Sequence, residues 1–450
     1  MTFETSIKLI DALVARRKSS KFLGSYTWPV AMRVTRNGEQ QGVLALAQAE
    51  VCTDASCQRC RSDLEFLKET RRPEDQSDHS RIRAVDLFAG CGGMSLGLAE
   101  AVRRLDRRLD IPLAVDIDNE VVEIFKANLP NAACKVADVA TLFDGQIGTD
   151  LTDAEQATKE IVGTGEVDIL LGGPPCQGHS NLNNHTRGRD PKNAFYLRMA
   201  RAAEVLAPKV VVVENVAPVQ RDEDRVVETT SEALIRAGYQ VYGRVVDLRR
   251  VGVPQRRRRY LLLASRLHEI RPAATLEDVA TGMPDHPDRT VHWAISDLLS
   301  VGLDGRYDTA SQQSEDNRRR IAYLFDRGLY DLPNERRPDC HRDKKHTYVS
   351  MYGRLRWEEP AQTITTGFGS MGQGRYVHPQ HRRTITPHEA ARLQTFPDWF
   401  DFGKKSQRGV LAKMIGNAVP PLLMVALGLG IVPRLGSATA KPGRPDEPAQ

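Results

Sequence analysis

The chain has 450 residues, 63 Lys+Arg against 58 Asp+Glu, a net charge of +5 and 40% hydrophobic residues. That length supports two or three domains with a sizeable core and excludes a wholly disordered chain. Balanced charge excludes a histone-like binder, so any nucleic-acid surface is local. Seven cysteines without framework-like spacing exclude a secreted disulfide scaffold. The N-terminus MTFETSIKLI is not a signal peptide. The longest apolar run, Leu422 to Val432, falls short of the roughly 20 residues of a membrane span. A cytoplasmic chain without a membrane partner is expected.

Residues 1–80 mix polar and charged residues and end in the linker-like ETRRPEDQSDHSR, an N-terminal extension. Cys52, Cys57 and Cys60 form C-x4-C-x2-C with His79 remote, one ligand short of a zinc set, so no metal is expected. From Arg83 short apolar runs alternate with amphipathic stretches. The predicted strands are RAVDLF (83–88), LAVDI (113–117), CKVADV (134–139), VDILLGG (167–173), KVVVVEN (209–215), VYGRVVDL (241–248) and RYLLLAS (259–265). Such alternation predicts an α/β fold, a parallel sheet with helices on both faces and ligands at the carboxyl ends of its strands. Residues 266–382 lack clean periodicity and predict an irregular second region; helical pattern returns at TPHEAARLQTF and VPPLLMVALGLGIV before a disordered tail, 434–450.

The first strand runs into DLFAGCGG, glycines where backbone turns sharply against a ligand, without the GxGxxG spacing of a dinucleotide site. The second ends in Asp116-Ile117-Asp118, a carboxylate suited to ribose hydroxyls, and the third in Asp138-Val139, an acid suited to an adenine amino group. Three strands ending in acids point to a nucleoside cofactor. The fourth ends in GGPPCQGHS, where two prolines fix the backbone ahead of Cys176, a candidate nucleophile. In the fifth, Glu214 follows four valines; unless partnered, such a carboxyl is desolvated, which favours its protonated form and suits it to donate a proton.

DLFAGCGG, GGPPCQGHS, ENV, VPQRRRRY, TPHEAARLQTFPDWF and KMIGNAVPP stand in the order found in DNA cytosine-5 methyltransferases of bacterial type, and the chain resembles that family from about Arg83 to Leu429. The resemblance implies a Rossmann-like S-adenosylmethionine-dependent methyltransferase domain with a smaller irregular target recognition domain. It assigns residues 81–265 to catalysis and cofactor binding, 266–382 to target recognition and 383–433 to helices returning to the catalytic domain. It also implies that Cys176 attacks C6 of a flipped cytosine and that Glu214 holds and protonates N3. Arg257 and Arg259 would point inward, one of them donating to the cytosine O2 or orienting the catalytic loop, while alternation along the strand leaves Arg256 and Arg258 for solvent or phosphate. S-adenosylmethionine would meet Phe88, Gly90 and Gly92 at its methionine part, Asp116 at its ribose, Ile117, Asp138 and Val139 at adenine, with Asn417 and Val419 closing the pocket. Asp116 stands where the family more often has Glu, with Asp118 as a rival, and His179 where an aromatic is usual. The implied partners are duplex DNA and a cognate restriction or defence nuclease, acting on a monomer. Two alternatives share the scaffold: a tRNA cytosine-5 methyltransferase and a catalytically silent DNA-binding regulator.

Overall fold

Ile169–Gly172 and the valine run of Val210–Val216 have almost no polar face, as strands covered on both sides require, and they form the middle of a seven-stranded sheet. The computed structural model describes residues 31–36, 39–45, 57–74, 80–175, 194–221, 225–282, 288–302, 305–342, 351–403 and 406–436. The chain divides into two units, Met1–Phe66 and Leu67–Gln450. In the first, β1 (Ala31–Arg36) pairs antiparallel with β2 (Glu39–Ala45). The boundary falls ahead of the linker at which composition places it. Leu67 already belongs to the larger unit, its carbonyl accepting the Asp398 N–H at 3.2 Å.

The larger unit holds β3 (Arg81–Leu87), β4 (Arg108–Asp116), β5 (Cys134–Val136), β6 (Ile169–Gly172), β7 (Val210–Val216), β8 (Gln240–Asp247), β9 (Gln255–Arg256), β10 (Arg258–Ser265) and β11 (Ala361–Gln362). The sheet order is β5-β4-β3-β6-β7-β10-β8, while β9 and β11 form a separate parallel pair. β5 stops short of the expected CKVADV because Asp138 accepts the Ala140 N–H and caps the short helix Val139–Leu142. β3 to β7 run parallel, so their carboxyl ends share one edge. The order reverses between β3 and β6, the switch point at which a ligand crevice opens. β10 runs against β7, so it is the start of β10 that reaches the same edge, with Arg259 opposite Val216.

The late apolar stretch is part of the core. Arg408–Arg434, counted as one helical stretch of 27 residues, meets the length and composition of a membrane span where Leu422 to Val432 alone does not, yet 72% of its most apolar window is buried inside the protein. Pro420 and Pro421 interrupt it, and helix Pro421–Ile431 packs on helix Gly93–Arg104 through small residues. A Cβ on Gly97 would lie 2.1 Å from the Pro421 carbonyl oxygen, and one on Gly428 2.5 Å from Ala101 Cβ.

Residues 266–382 contain more regular structure than their composition suggests. Helix Pro272–Thr281 lies against β8, where the Tyr242 hydroxyl donates to Glu277. Helix Glu315–Asp326 belongs to a separate small core of Ile321, Leu324, Leu332, Tyr352, Met371 and Val377.

Helix Pro387–Leu393 is set by a capping box between Thr386 and Glu389 and a proline in its first turn. It presents His388 to two carboxylates: Nδ1 lies 2.8 Å from Asp308 and Nε2 2.9 Å from Asp398, with Tyr307 stacked on the ring. Burial disfavours the imidazolium, but the hydrogen bonds and charges of Asp398 and Asp308 outweigh it and raise the His388 pKa. A raised folded-state pKa contributes stability that is complete below the ordinary histidine value of about 6.5 and is lost as pH rises through the folded value. Melting temperature should therefore fall between neutral and mildly alkaline pH in the native chain. His388→Gln should start lower and flatten that slope; equal slopes would show that the clamp carries no linkage.

Candidate active site

The glycine turn lies at the carboxyl end of β3. Phe88, Gly90 and Gly92 all take positive φ, 56°, 56° and 94°. Phe88 is the strained one, since a side chain in that region costs about 1–3 kcal/mol, and its ring packs against Phe195 at 5.7 Å. The turn is roofed by the late segment: a Cβ on Gly93 would lie 2.3 Å from the Val419 carbonyl oxygen. Val419 is half-buried there and Asn417 is exposed at the end of helix Arg408–Asn417. Gly93→Ala should push this roof outward and weaken S-adenosylmethionine binding by about tenfold or more, the effect of one or two kcal/mol. Calorimetric titration checks this, and unchanged affinity would mean that the roof does not touch the ligand.

Asp116 and its rival Asp118 are separated by their partners. The Asp116 carboxylate accepts the Gly90 N–H at 2.9 Å and the Asp118 N–H at 3.0 Å, tying the glycine turn to the end of β4. Each oxygen keeps a lone pair. Asp118 is committed elsewhere: it accepts the Glu120 N–H as a helix cap, and Lys413 lies 2.7 Å away and holds its pKa down. Ile117, between them, is 71% exposed, a large apolar side chain left bare at a strand end. Asp138 spends Oδ1 on the Ala140 N–H. Val139 follows directly. Its side chain is buried in the main core, because it opens the helix that Asp138 caps, and only its backbone remains for a ligand.

Asp86, the acid of the first strand, received no role of its own in the reading of strand ends. It is buried in β3; Oδ2 accepts the Ser95 hydroxyl at 2.6 Å and Oδ1 has no partner. Burial raises its pKa to about 7 against the Ser95 hydrogen bond, with Asp116 adding to the rise. An acid inside an otherwise apolar strand was the available signal. A buried orphan carboxylate oxygen beside a glycine turn, an acid with spare lone pairs and an exposed isoleucine fit a cationic nucleoside cofactor. Cys91 in the same turn is buried, its thiol pushed up to about 12 by burial, and is not a reactive thiol.

At the other side of the switch point β6 gives way to Gly173, Pro174 and Pro175. Cys176 and the loop 177–193 lie outside the described residues, as do Cys52 and His79. Asn215 ties the strand ends together: Nδ2 donates to the Pro174 carbonyl at 3.5 Å and Oδ1 accepts the Val216 N–H at 2.7 Å. Glu214 is buried, and its Oε2 lies 3.9 Å from where a Gly173 Cβ would be. It is partnered after all. Arg259 Nε lies 2.8 Å from Oε1, an ion pair in which Oε1 accepts no well-aligned hydrogen bond.

Alternation along the arginine string follows the strand period: Arg257 is buried and Arg259 largely so, whereas Arg256 and Arg258 are exposed and Arg256 pairs with Glu359 at 2.9 Å. The two inward arginines differ. Arg257 donates through its terminal nitrogens to the carbonyls of Ile364 and Ala418, each at 3.1 Å, and its Nε is buried without a partner. Burial, then the neighbouring Arg259, lowers its pKa well below the usual guanidinium value. Arg257 thus clamps main chain, and Arg259 is the guanidinium that faces Glu214. Gln255 extends the clamp, donating to the Leu393 carbonyl and the Gln394 side chain and accepting the Ile364 N–H.

A mostly parallel sheet with a glycine turn at its switch point, an acid at the end of the next strand and a buried Glu–Arg pair across the crevice defines a Rossmann-like methyltransferase. The C-5 cytosine-specific DNA methylase family model matches residues 82–432. The chain is 42% identical to the type II methyltransferase M1.BsuMI of Bacillus subtilis over 367 residues, 82% of this chain and 84% of that one. It is 30% identical to M.XorII of Xanthomonas oryzae over 389 residues, 81% and 87% of the two chains. Among solved structures, the Dnmt2 methyltransferase of S. pombe shares the fold with a TM-score of 0.55 and 17% identity, covering 79% of this chain and all of that one. The chain belongs to the C-5 cytosine-specific DNA methylase family. It is a DNA (cytosine-5-)-methyltransferase whose methyl donor is S-adenosyl-L-methionine.

Proposed function

We propose that the chain methylates a cytosine flipped out of a specific duplex DNA word, through a covalent bond between Cys176 and C6. One observation carries this reading: Glu214 is buried, ion-paired with Arg259 and beside the Gly173–Pro175 turn that leads to Cys176, on the edge that also holds the glycine turn.

A neutral pyrimidine is a poor nucleophile at C5, and C5 and C6 are hidden in the stack of a duplex, so flipping comes first. The Cys176 thiolate adds to C6 while Glu214, ion-paired with Arg259 in the free enzyme and protonated once cytosine is bound, holds N3 and delivers its proton there, which converts C5 into an enamine carbon. Arg259 keeps the Glu214 carboxyl in place and offers its remaining donors to the cytosine carbonyl. Phe88, Gly90, Gly92, Asp86, Asp116, Ile117, Asp138, Asn417 and Val419 would hold S-adenosyl-L-methionine, which when bound would supply the electrophilic methyl group that C5 accepts and leave as S-adenosylhomocysteine. Loss of the C5 proton and departure of Cys176 restore the aromatic ring.

Residues 266–382 read the word, and Arg258, exposed beside the crevice, suits a phosphate. The similarity to type II methyltransferases supports protection of host DNA against a partner nuclease; a cytoplasmic, monomeric enzyme belongs to the same reading. Labelled S-adenosylmethionine incubated with duplex DNA or tRNA tests the whole reading. Label is expected as 5-methylcytosine in DNA; label in tRNA alone, or in neither, would overturn it.

A further inference from the structure

The small core around helix Glu315–Asp326 carries two tyrosines with two guanidinium groups each. Over the Tyr330 ring stand Arg356 at 3.9 Å and Arg354 at 4.9 Å; over the Tyr323 ring stand Arg336 at 4.8 Å and Arg327 at 5.9 Å. The two sets differ in what their hydrogen-bonding edges do. Arg354 donates from Nε to the Pro379 carbonyl at 2.8 Å, and Arg356 Nε lies 3.4 Å from Glu359, so the Tyr330 set is used up inside the fold. Arg327 and Arg336 are exposed, and neither guanidinium has a carboxylate or carbonyl acceptor among the described residues. Two of the neighbouring acids are taken, Asp326 by Arg382 at 2.7 Å and Asp339 by Arg342 at 2.9 Å. Arg320 anchors the arrangement, its Nε donating to the Arg336 carbonyl at 3.1 Å.

A guanidinium laid on an aromatic ring has its rotamer freedom already reduced and its planar fork of donors aimed outward. Two such forks on one half-buried ring, exposed to solvent and without a protein acceptor among the described residues, form a site for an acceptor brought from outside. Guanine O6 and N7 and the phosphate oxygens of a duplex are acceptors that match that fork. We propose that Arg327 and Arg336, oriented by Tyr323, contact the duplex and help set the target word. This rests on the reading of 266–382 as the target-reading region.

The test uses the full chain, labelled S-adenosylmethionine and a random-sequence duplex library whose modified cytosines are mapped. Arg336→Ala and Arg327→Ala are expected to raise KM for duplex by about tenfold, the scale of one lost bidentate contact, with kcat little changed and the melting temperature unmoved. A base-edge contact would also relax the word at one position, and Arg336→Lys would not restore it. A phosphate contact would weaken all sequences alike, lower the salt slope by about one and be largely restored by lysine. Tyr323→Leu should reproduce part of the loss and Tyr323→Phe should recover it. Alanine variants with native KM, word and salt slope would overturn the proposal. If the native chain places no 5-methylcytosine in duplex DNA, the functional reading beneath it fails instead.

Discussion

Cys176→Ala is expected to abolish 5-methylcytosine formation, a loss of at least about 10⁴-fold, the scale seen when a covalent nucleophile is removed. The reason is specific to the substrate. Without addition at C6 the ring keeps its aromaticity, and C5 carries too little electron density to accept a methyl group. S-adenosylmethionine affinity should be nearly native, since the groups that suit the cofactor lie on β3, β4, β5 and the late segment, none of which contains Cys176. Calorimetry and a radiolabel assay on the same preparation separate the two effects. Retained turnover would show that the nucleophile is misassigned; lost cofactor binding would show that the variant is damaged more widely.

For Glu214→Gln the expected loss is about 10²–10⁴-fold in kcat, the usual range for a general acid. Glutamine keeps the shape of the group and can still meet N3, but it has no proton to deliver. It also takes the negative charge away from Arg259, whose pKa burial lowers and the Glu214 charge raises. A buried cation that loses its partner is costly, so the melting temperature should fall as well. Rates measured well below the variant's own melting point keep the chemical effect apart from unfolding. A native rate there would mean that another acid serves the cytosine.

The parts of the fold that were legible in the sequence are those fixed locally. RAVDLF, VDILLGG and KVVVVEN are strands because nothing in them can face water, and DLFAGCGG turns where its glycines permit. The alternating exposure of the four arginines follows from strand period alone. What was not legible depends on distant partners. Asp116 is favoured over Asp118 because Lys413, 295 positions later, occupies the second. Arg257 could not be told from Arg259 because the carbonyls it holds come from Ile364 and Ala418, 107 and 161 positions away. Glu214 was expected to be desolvated unless partnered, and its partner arrives on a strand that runs backwards relative to its neighbours, a direction that composition does not encode. The irregular composition of 266–382 concealed a second core because its apolar members are scattered between 321 and 377.

The close approach of Val419 to Gly93 and of Pro421 to Gly97 orders events during synthesis. A nascent chain acquires its glycine turn and the residues proposed for the chemistry, Cys176, Glu214 and Arg259, long before the ribosome reaches the segment that roofs the turn. Until that last helix emerges the turn is open to water on the side where Gly93 later meets main chain. The enclosure of the turn is thus among the last parts of the chain to be made.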